Sequence, residues 1–118
     1  MAKILLVEDD ATMIALLKTL LEIEGFSVVQ FNPQMDVLEQ IRTDKPDAIL
    51  LDVNFKGMNA AGFDILRSLR ADPDLAATRV LMASGMNYEQ EAIQAGADAF
   101  LLKPFMPDVL IQRIHSLL

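Results

Sequence analysis

The chain has 118 residues, of which 53% are apolar and 23% charged, and it contains no cysteine. This length suits one domain, which we expect to cover residues 1–118, and the apolar share excludes a disordered chain. The net charge of −7 disfavours direct nucleic-acid binding, because the phosphate backbone would repel the domain. No apolar run approaches the roughly 18 residues of a membrane span, and disulfide and thiol chemistry are excluded. We therefore expect a cytoplasmic domain without a membrane partner.

Five short apolar runs recur along the chain, each bounded by polar, glycine or proline residues. Continuous apolar runs, as opposed to alternating ones, are typical of strands that are covered on both faces, as in a parallel sheet. The predicted strands are residues 4–7, 27–31, 48–51, 80–83 and 99–102.

Helical periodicity fills the stretches between these runs. Apolar residues recur at steps of three and four over residues 11–24. Asn32 followed by Pro33 predicts the N-cap and first position of a second helix over residues 33–43. The later helices are predicted from Phe63 to near Asp72, from Tyr88 to Gly96, and from Pro107 onward. Strand and helix therefore alternate five times, which predicts an α/β fold with a doubly wound, five-stranded parallel sheet.

In such a sheet, ligands bind beyond the carboxyl ends of the strands. The residues that follow the first, third, fourth and fifth strands are Glu8, Asp9 and Asp10, then Asp52, Ser84 and Lys103. Asp10 also suits the N-cap of the first helix. With Asp10 as the cap, the three carboxylates of Glu8, Asp9 and Asp52 are predicted to meet a hydroxyl and an ammonium group at one edge.

This set of groups suits phosphoryl chemistry. Carboxylates brought close together repel one another unless a cation joins them, and oxygen ligands of this kind select Mg²⁺. An aspartate beside Mg²⁺ can attack a phosphoryl group and form an acyl phosphate, while a lysine neutralises its oxygens. A phosphatase with an aspartate nucleophile fits less well, because Asn54 stands where a second aspartate would serve as general acid.

Four stretches carry a resemblance to a known family. They read ILLVEDD at 4–10, ILLDV at 49–53, VLMASG at 80–85 and GADAFLLKPF at 96–105. With these, the chain resembles the receiver domains of two-component response regulators over nearly its whole length. The resemblance implies a (βα)5 flavodoxin-like fold with strand order 2-1-3-4-5. It also implies a domain that is not an enzyme on a separate substrate, since it catalyses only its own phosphotransfer and dephosphorylation.

The resemblance further implies a role for each residue at the sheet edge. Asp52 falls on the phosphoacceptor of the family. Glu8 and Asp9 fall on the acidic pair that holds Mg²⁺, together with Asp52 and the backbone carbonyl of Asn54.

Four more residues match the switching parts of the family. Ser84 falls on the hydroxyl residue that moves toward the phosphoryl group, and Phe100 on the aromatic switch residue coupled to it. Lys103 falls on the lysine that pairs with the phosphoryl group, and it is followed by Pro104 through what is a cis peptide in the family.

Partners are implied in the same way. A sensor histidine kinase or phosphotransfer protein would donate the phosphoryl group, and a downstream protein or output domain would receive the signal. A homodimer through the face of the fourth helix, fifth strand and fifth helix is a further expectation. The family's usual proline is replaced by Lys56, in a loop about two residues longer than usual. This departure leaves open an alternative, a receiver-like interaction module that is not phosphorylated.

Overall fold

The structure is a computed structural model that describes residues 2–55 and 61–118. In these two ranges five strands alternate with five helices, as predicted. The strands are β1 (Lys3–Val7), β2 (Ser27–Gln30), β3 (Ala48–Asp52), β4 (Arg79–Ser84) and β5 (Ala99–Leu102). The helices are α1 (Ala11–Ile23), α2 (Val37–Asp44), α3 (Ala61–Ala71), α4 (Glu89–Ala95) and α5 (Pro107–Leu117). Lys56 and the lengthened loop around it lie outside the described residues.

All strand pairs are parallel, and the sheet order is β2-β1-β3-β4-β5. This confirms the predicted doubly wound sheet with order 2-1-3-4-5. The register pairs Asp52 with Ala83 and Ser84 with Leu102. The carboxyl ends of the three strands β3, β4 and β5 are therefore level with one another.

The sheet is covered on both faces, which explains why its strands read as continuous apolar runs. One face packs under α1 and α5, through the buried residues Ile4, Leu6, Leu17, Leu21, Leu110 and Ile114. The other packs under α2, α3 and α4, through the buried residues Leu5, Val7, Ile41, Leu66, Ala92 and Phe100. Burial on both faces fixes the strands, and so fixes where their polar carboxyl ends lie. None of the helices in the described ranges is long and apolar enough to cross a membrane.

The predicted start of the second helix is wrong. Asn32 does not cap α2: its backbone carbonyl accepts a hydrogen bond from Met35 N at 2.9 Å, which closes a separate turn after Pro33. The helix begins after Asp36, whose side chain accepts from Leu38 N at 3.2 Å. Asparagine and aspartate both form local turns and caps, so the sequence pattern did not distinguish the two uses.

Candidate functional site

Carboxylates from two strand ends gather at one edge of the sheet. Single oxygens of Glu8, Asp9 and Asp52 all lie within 4.8 Å of one another. Glu8 is buried, Asp52 is partly buried and Asp9 is exposed. The level ends of β1 and β3 bring these residues together, as the sequence predicts. A set of hard oxygen donors this close fits a Mg²⁺ ion.

Lys103 supplies the positive charge of this cluster. Its Nζ donates to Glu8 Oε2 at 2.9 Å and lies 3.7 Å from Asp52 Oδ1. Its backbone N donates to the Ser84 carbonyl at 2.8 Å, which ties the end of β5 to the end of β4. The peptide bond between Lys103 and Pro104 is cis. One ammonium group is thus shared between two carboxylates.

The side chains of Glu8 and Asp10 have different hydrogen-bond partners, although only one residue separates them in the chain. Glu8 Oε1 accepts from the backbone N of Asp9 at 3.1 Å and of Asp10 at 3.2 Å. Asp10 Oδ1 instead accepts from Thr12 N at 2.9 Å and Met13 N at 3.2 Å, as the N-cap of α1. Asp10 therefore acts as the predicted cap, and Glu8 acts within the carboxylate cluster.

Asp52 lies at the end of β3 in an environment that disfavours its charge. Burial raises the pKa of Asp52 above its ordinary value, and the charges of Glu8 and Asp9 raise it further. Lys103 and a hydrogen bond from Asn54 N, at 3.3 Å from Asp52 Oδ1, act in the opposite direction. Burial and the negative charges of its neighbours therefore disfavour the ionised form of Asp52, and a bound cation would stabilise that form.

The two predicted switch residues lie in different surroundings. Ser84 is buried at the end of β4, and its Oγ accepts from Met86 N at 3.1 Å. Phe100 is buried in the core, in the same cluster as Ala92 of α4. Ser84 thus borders the carboxylate edge, and Phe100 lies beneath the helix that follows Ser84 in the chain.

Gly62 is a residue of this site that the sequence analysis missed. Its N donates to the Val53 carbonyl at 2.7 Å. A Cβ at this position would overlap the backbone carbonyl of Asp52 and lie 2.9 Å from Val53 Cα. The first turn of α3 therefore packs directly against the backbone that carries Asp52. A glycine inside a helix start is the signal that could have found it, since glycine disfavours helix.

Comparison with known proteins agrees with this geometry. The family model described as response regulator receiver domain matches residues 4–115. The chain belongs to this family. The receiver domain is 33% identical over 114 residues to the DNA-binding response regulator MtrA of Mycolicibacterium paratuberculosis, covering 97% of this chain and 50% of that protein. It is 37% identical over 117 residues to the response regulator MprA of Mycobacterium leprae, covering 98% and 50%. The chain thus spans about half the length of the curated relatives it matches.

Solved receiver structures have the same fold. The receiver domain of a response regulator from Bermanella marisrubri is 32% identical, with a TM-score of 0.85 and coverage of 98% and 96%. The Vibrio cholerae chemotaxis protein CheY4 is 27% identical, with a TM-score of 0.85 and coverage of 100% and 99%. Residues 4–115 are therefore a receiver domain of the two-component response regulator family, and the module that is not phosphorylated is the less favoured alternative. Receiver domains act in phosphotransfer, bind Mg²⁺ at an acidic pocket and interact with histidine kinases and output domains.

Proposed function

We propose that residues 1–118 form a single receiver domain that accepts a phosphoryl group on Asp52. The observation that carries this proposal is the shared ammonium group of Lys103, 2.9 Å from Glu8 and 3.7 Å from Asp52. These distances support the assignment of Asp52 as nucleophile, of Glu8 and Asp9 as the acidic pair and of Lys103 as the cation that pairs with phosphate. Three loops that are distant in sequence converge there, which a set of surface charges would not do.

The donor is the phosphohistidine of a sensor histidine kinase or phosphotransfer protein. An oxygen of Asp52 attacks the phosphorus, the new P–O bond forms and the P–N bond breaks. The imidazole nitrogen keeps the electron pair and takes a proton from water. Lys103 neutralises the transferred oxygens, and the Ser84 hydroxyl donates to one of them.

The residues that would hold Mg²⁺ are Glu8, Asp9, Asp52 and the backbone carbonyl of Asn54. The three carboxylates within 4.8 Å support this assignment. When bound, the ion supplies charge neutralisation for the phosphoryl oxygens. The chain's own contribution is to hold Asp52 in line with the P–N bond that breaks, and Lys103 within reach of the phosphoryl oxygens.

The signal then passes to a downstream protein or output domain. Ordering of Ser84 and Phe100 shifts a two-state equilibrium at the face formed by α4, β5 and α5. Exposed Ile93, Leu102 and Met106 on this face support protein contacts there, including a homodimer. The net charge of −7 supports a domain that does not itself bind nucleic acid. We place it in the cytoplasm and assign it no reaction beyond its own phosphotransfer and dephosphorylation.

Phosphorylation by a small phosphodonor tests the proposal. The purified chain is mixed with acetyl phosphate, with and without Mg²⁺, and its intact mass is measured. Wild type should gain one phosphoryl group only with Mg²⁺, and Asp52→Asn should gain none. Asp74→Asn, which changes an exposed acid, is the matched control and should behave as wild type. A wild-type chain that stays unmodified in excess donor and Mg²⁺ would instead support the module that is not phosphorylated.

A further inference from the structure

A single arginine near the end of α3 joins three segments at the end of the domain away from Asp52. Arg70 Nε donates to the Gly96 carbonyl at 2.8 Å, directly after α4. One terminal nitrogen donates to the carbonyls of Ala76 at 3.0 Å and Thr78 at 2.5 Å. The other donates to Asp98 Oδ2 at 3.0 Å. All three guanidinium nitrogens are therefore used.

Asp98 extends this network into the sheet. Its Oδ2 also accepts from Val80 N at 2.8 Å, and its Oδ1 lies 3.9 Å from Arg79. The side chains of Arg70 and Asp98 are 21% and 29% exposed, so water competes only in part for their hydrogen bonds. The segment after α4 is thus tied both to α3 and to the start of β4.

Gly96 brings this segment close to the arginine. It has φ +108, and a Cβ there would lie 3.0 Å from Arg70 Cγ. Its N donates to the Ile93 carbonyl at 3.1 Å, and Ala97 N donates to the Ala92 carbonyl at 2.9 Å. These two bonds complete the carboxyl end of α4. The carboxyl end is therefore closed by its own backbone and held by Arg70.

The amino end of α4 is held more weakly. Its N-cap residue Tyr88 makes no side-chain capping bond within the described residues, and Asn87 Oδ1 accepts from Glu89 N at 3.2 Å in an exposed turn. The Tyr88 ring meets the Phe63 ring edge-on with 5.9 Å between centroids, a contact that is weaker than a hydrogen bond to a charged group. A Cβ added at Gly85, directly after Ser84, would have no heavy atom within 4 Å beyond its chain neighbours.

We propose that Arg70 is a positioning residue that fixes the carboxyl end of α4, so that α4 responds to phosphorylation by tilting about Gly96. This rests on the proposed phosphorylation of Asp52. A displacement of Ser84 reaches the amino end of α4 through only four residues, 85–88. Movement of the carboxyl end would break several charge-assisted hydrogen bonds at once, which is costly. The amino end therefore moves, and the carboxyl end serves as the hinge.

Hydrogen exchange on the unphosphorylated chain tests the role of Arg70. In wild type, amides at 96–98 should exchange more slowly than amides at 87–90. In Arg70→Met, exchange at 96–98 should rise about tenfold or more, because this segment loses the hydrogen bonds from Arg70 to the Gly96 carbonyl and to Asp98. Arg67→Met is the matched control on the same helix, because Arg67 is exposed and its contacts among the described residues are an ion pair with Asp64 and a cation–π contact with Phe63, neither of which involves residues 96–98. Equal exchange at both ends in wild type, or no change in Arg70→Met, overturns the proposal.

Exchange on the phosphorylated chain tests the tilt. Acetyl phosphate and Mg²⁺ are added, and the intact mass of the same sample reports phosphorylation. In wild type the change in exchange on phosphorylation should be confined to residues 85–92. In Asp98→Asn the change should extend to residues 96–98. This milder variant is included in case Arg70→Met misfolds. An equal change throughout 85–98 in wild type overturns the proposal. A sample that gains no phosphoryl group contradicts the proposed function, while the unphosphorylated comparison still decides the role of Arg70.

Discussion

Lys103 at the edge of the sheet donates to Glu8, 95 residues earlier in the chain, with 2.9 Å between Nζ and Oε2. The same ammonium group is 3.7 Å from Asp52 Oδ1. One positive charge therefore serves two carboxylates, with the exposed Asp9 beside them. The cluster keeps a net negative charge, which favours a divalent cation and disfavours an ionised Asp52.

Replacement of Lys103 should destabilise the fold. Lys103→Met leaves the carboxylate of Glu8, whose side chain is 5% exposed, without its cation. Breaking one side of a buried pair in this way should lower the free energy of unfolding by about 2 kcal/mol or more. Urea denaturation at neutral pH measures the loss, and Mg²⁺ should recover part of it. Arg67→Met removes an exposed cation and should cost under about 1 kcal/mol; equal costs for the two variants would contradict the buried pair.

Replacement of Asp52 should stabilise the protein in metal-free buffer at neutral pH. Because its pKa is raised in the folded state, the folded protein binds the proton more tightly than the unfolded one. The penalty from ionised Asp52 is absent below its unfolded pKa. It grows as pH rises from the unfolded to the folded pKa, and it is fully present above the folded pKa. Asp52→Asn should exceed wild type in stability near pH 7, and the difference should shrink toward about pH 3. Urea denaturation at both pH values checks this, with exposed Glu91→Gln as control. A less stable Asp52→Asn at neutral pH would show that desolvation does not dominate.

The neighbouring acids Asp9 and Asp10 should differ in their effect on Mg²⁺. Asp9→Asn removes one charge from the carboxylate cluster and should weaken Mg²⁺ binding about tenfold or more. Asp10→Asn keeps the cap of α1, because asparagine also accepts from the backbone there, and should leave the affinity nearly unchanged. Calorimetric titration with MgCl₂ measures both dissociation constants. Similar losses in the two variants would reject the specific role of Asp9.

Two glycines near the site should differ in their tolerance of alanine. A methyl group at Gly62 would overlap the Asp52 carbonyl, so Gly62→Ala should lower the free energy of unfolding by about 2 kcal/mol or more. Gly85 has no heavy atom within 4 Å of its would-be Cβ, so Gly85→Ala should change it by under about 1 kcal/mol. Thermal denaturation of both variants compares them. A tolerated Gly62→Ala would mean that α3 does not pack rigidly against Asp52.

The sequence predicts the sheet well, because strands that are buried on both faces consist of continuous apolar runs. Runs such as 4–7 and 99–102 match β1 and β5 within one residue. The carboxylate cluster was predictable for a related reason: parallel strands align their carboxyl ends, so Glu8 and Asp52 had to meet.

Other features depend on contacts that no local pattern records. Arg70 bonds to backbone carbonyls far along the chain, and any residue type can offer a carbonyl. Buried Gln40 likewise accepts from Asn32 N at 2.7 Å and donates to the Gln30 carbonyl at 2.9 Å. That pair of bonds holds the chain between β2 and α2 in its turn. It helps to explain why Asn32 was wrongly predicted as a helix cap.

The location of the phosphoryl group is the most direct test of Asp52 as the phosphoacceptor. The chain is phosphorylated with acetyl phosphate and Mg²⁺, treated with borohydride and digested, since reduction converts an acyl phosphate to an alcohol and so marks the modified residue by mass. The peptide containing Asp52 should carry the mark, and Lys103→Met should reduce the yield of that marked peptide. A mark on another residue, or none despite excess donor and Mg²⁺, would contradict Asp52 as the phosphoacceptor.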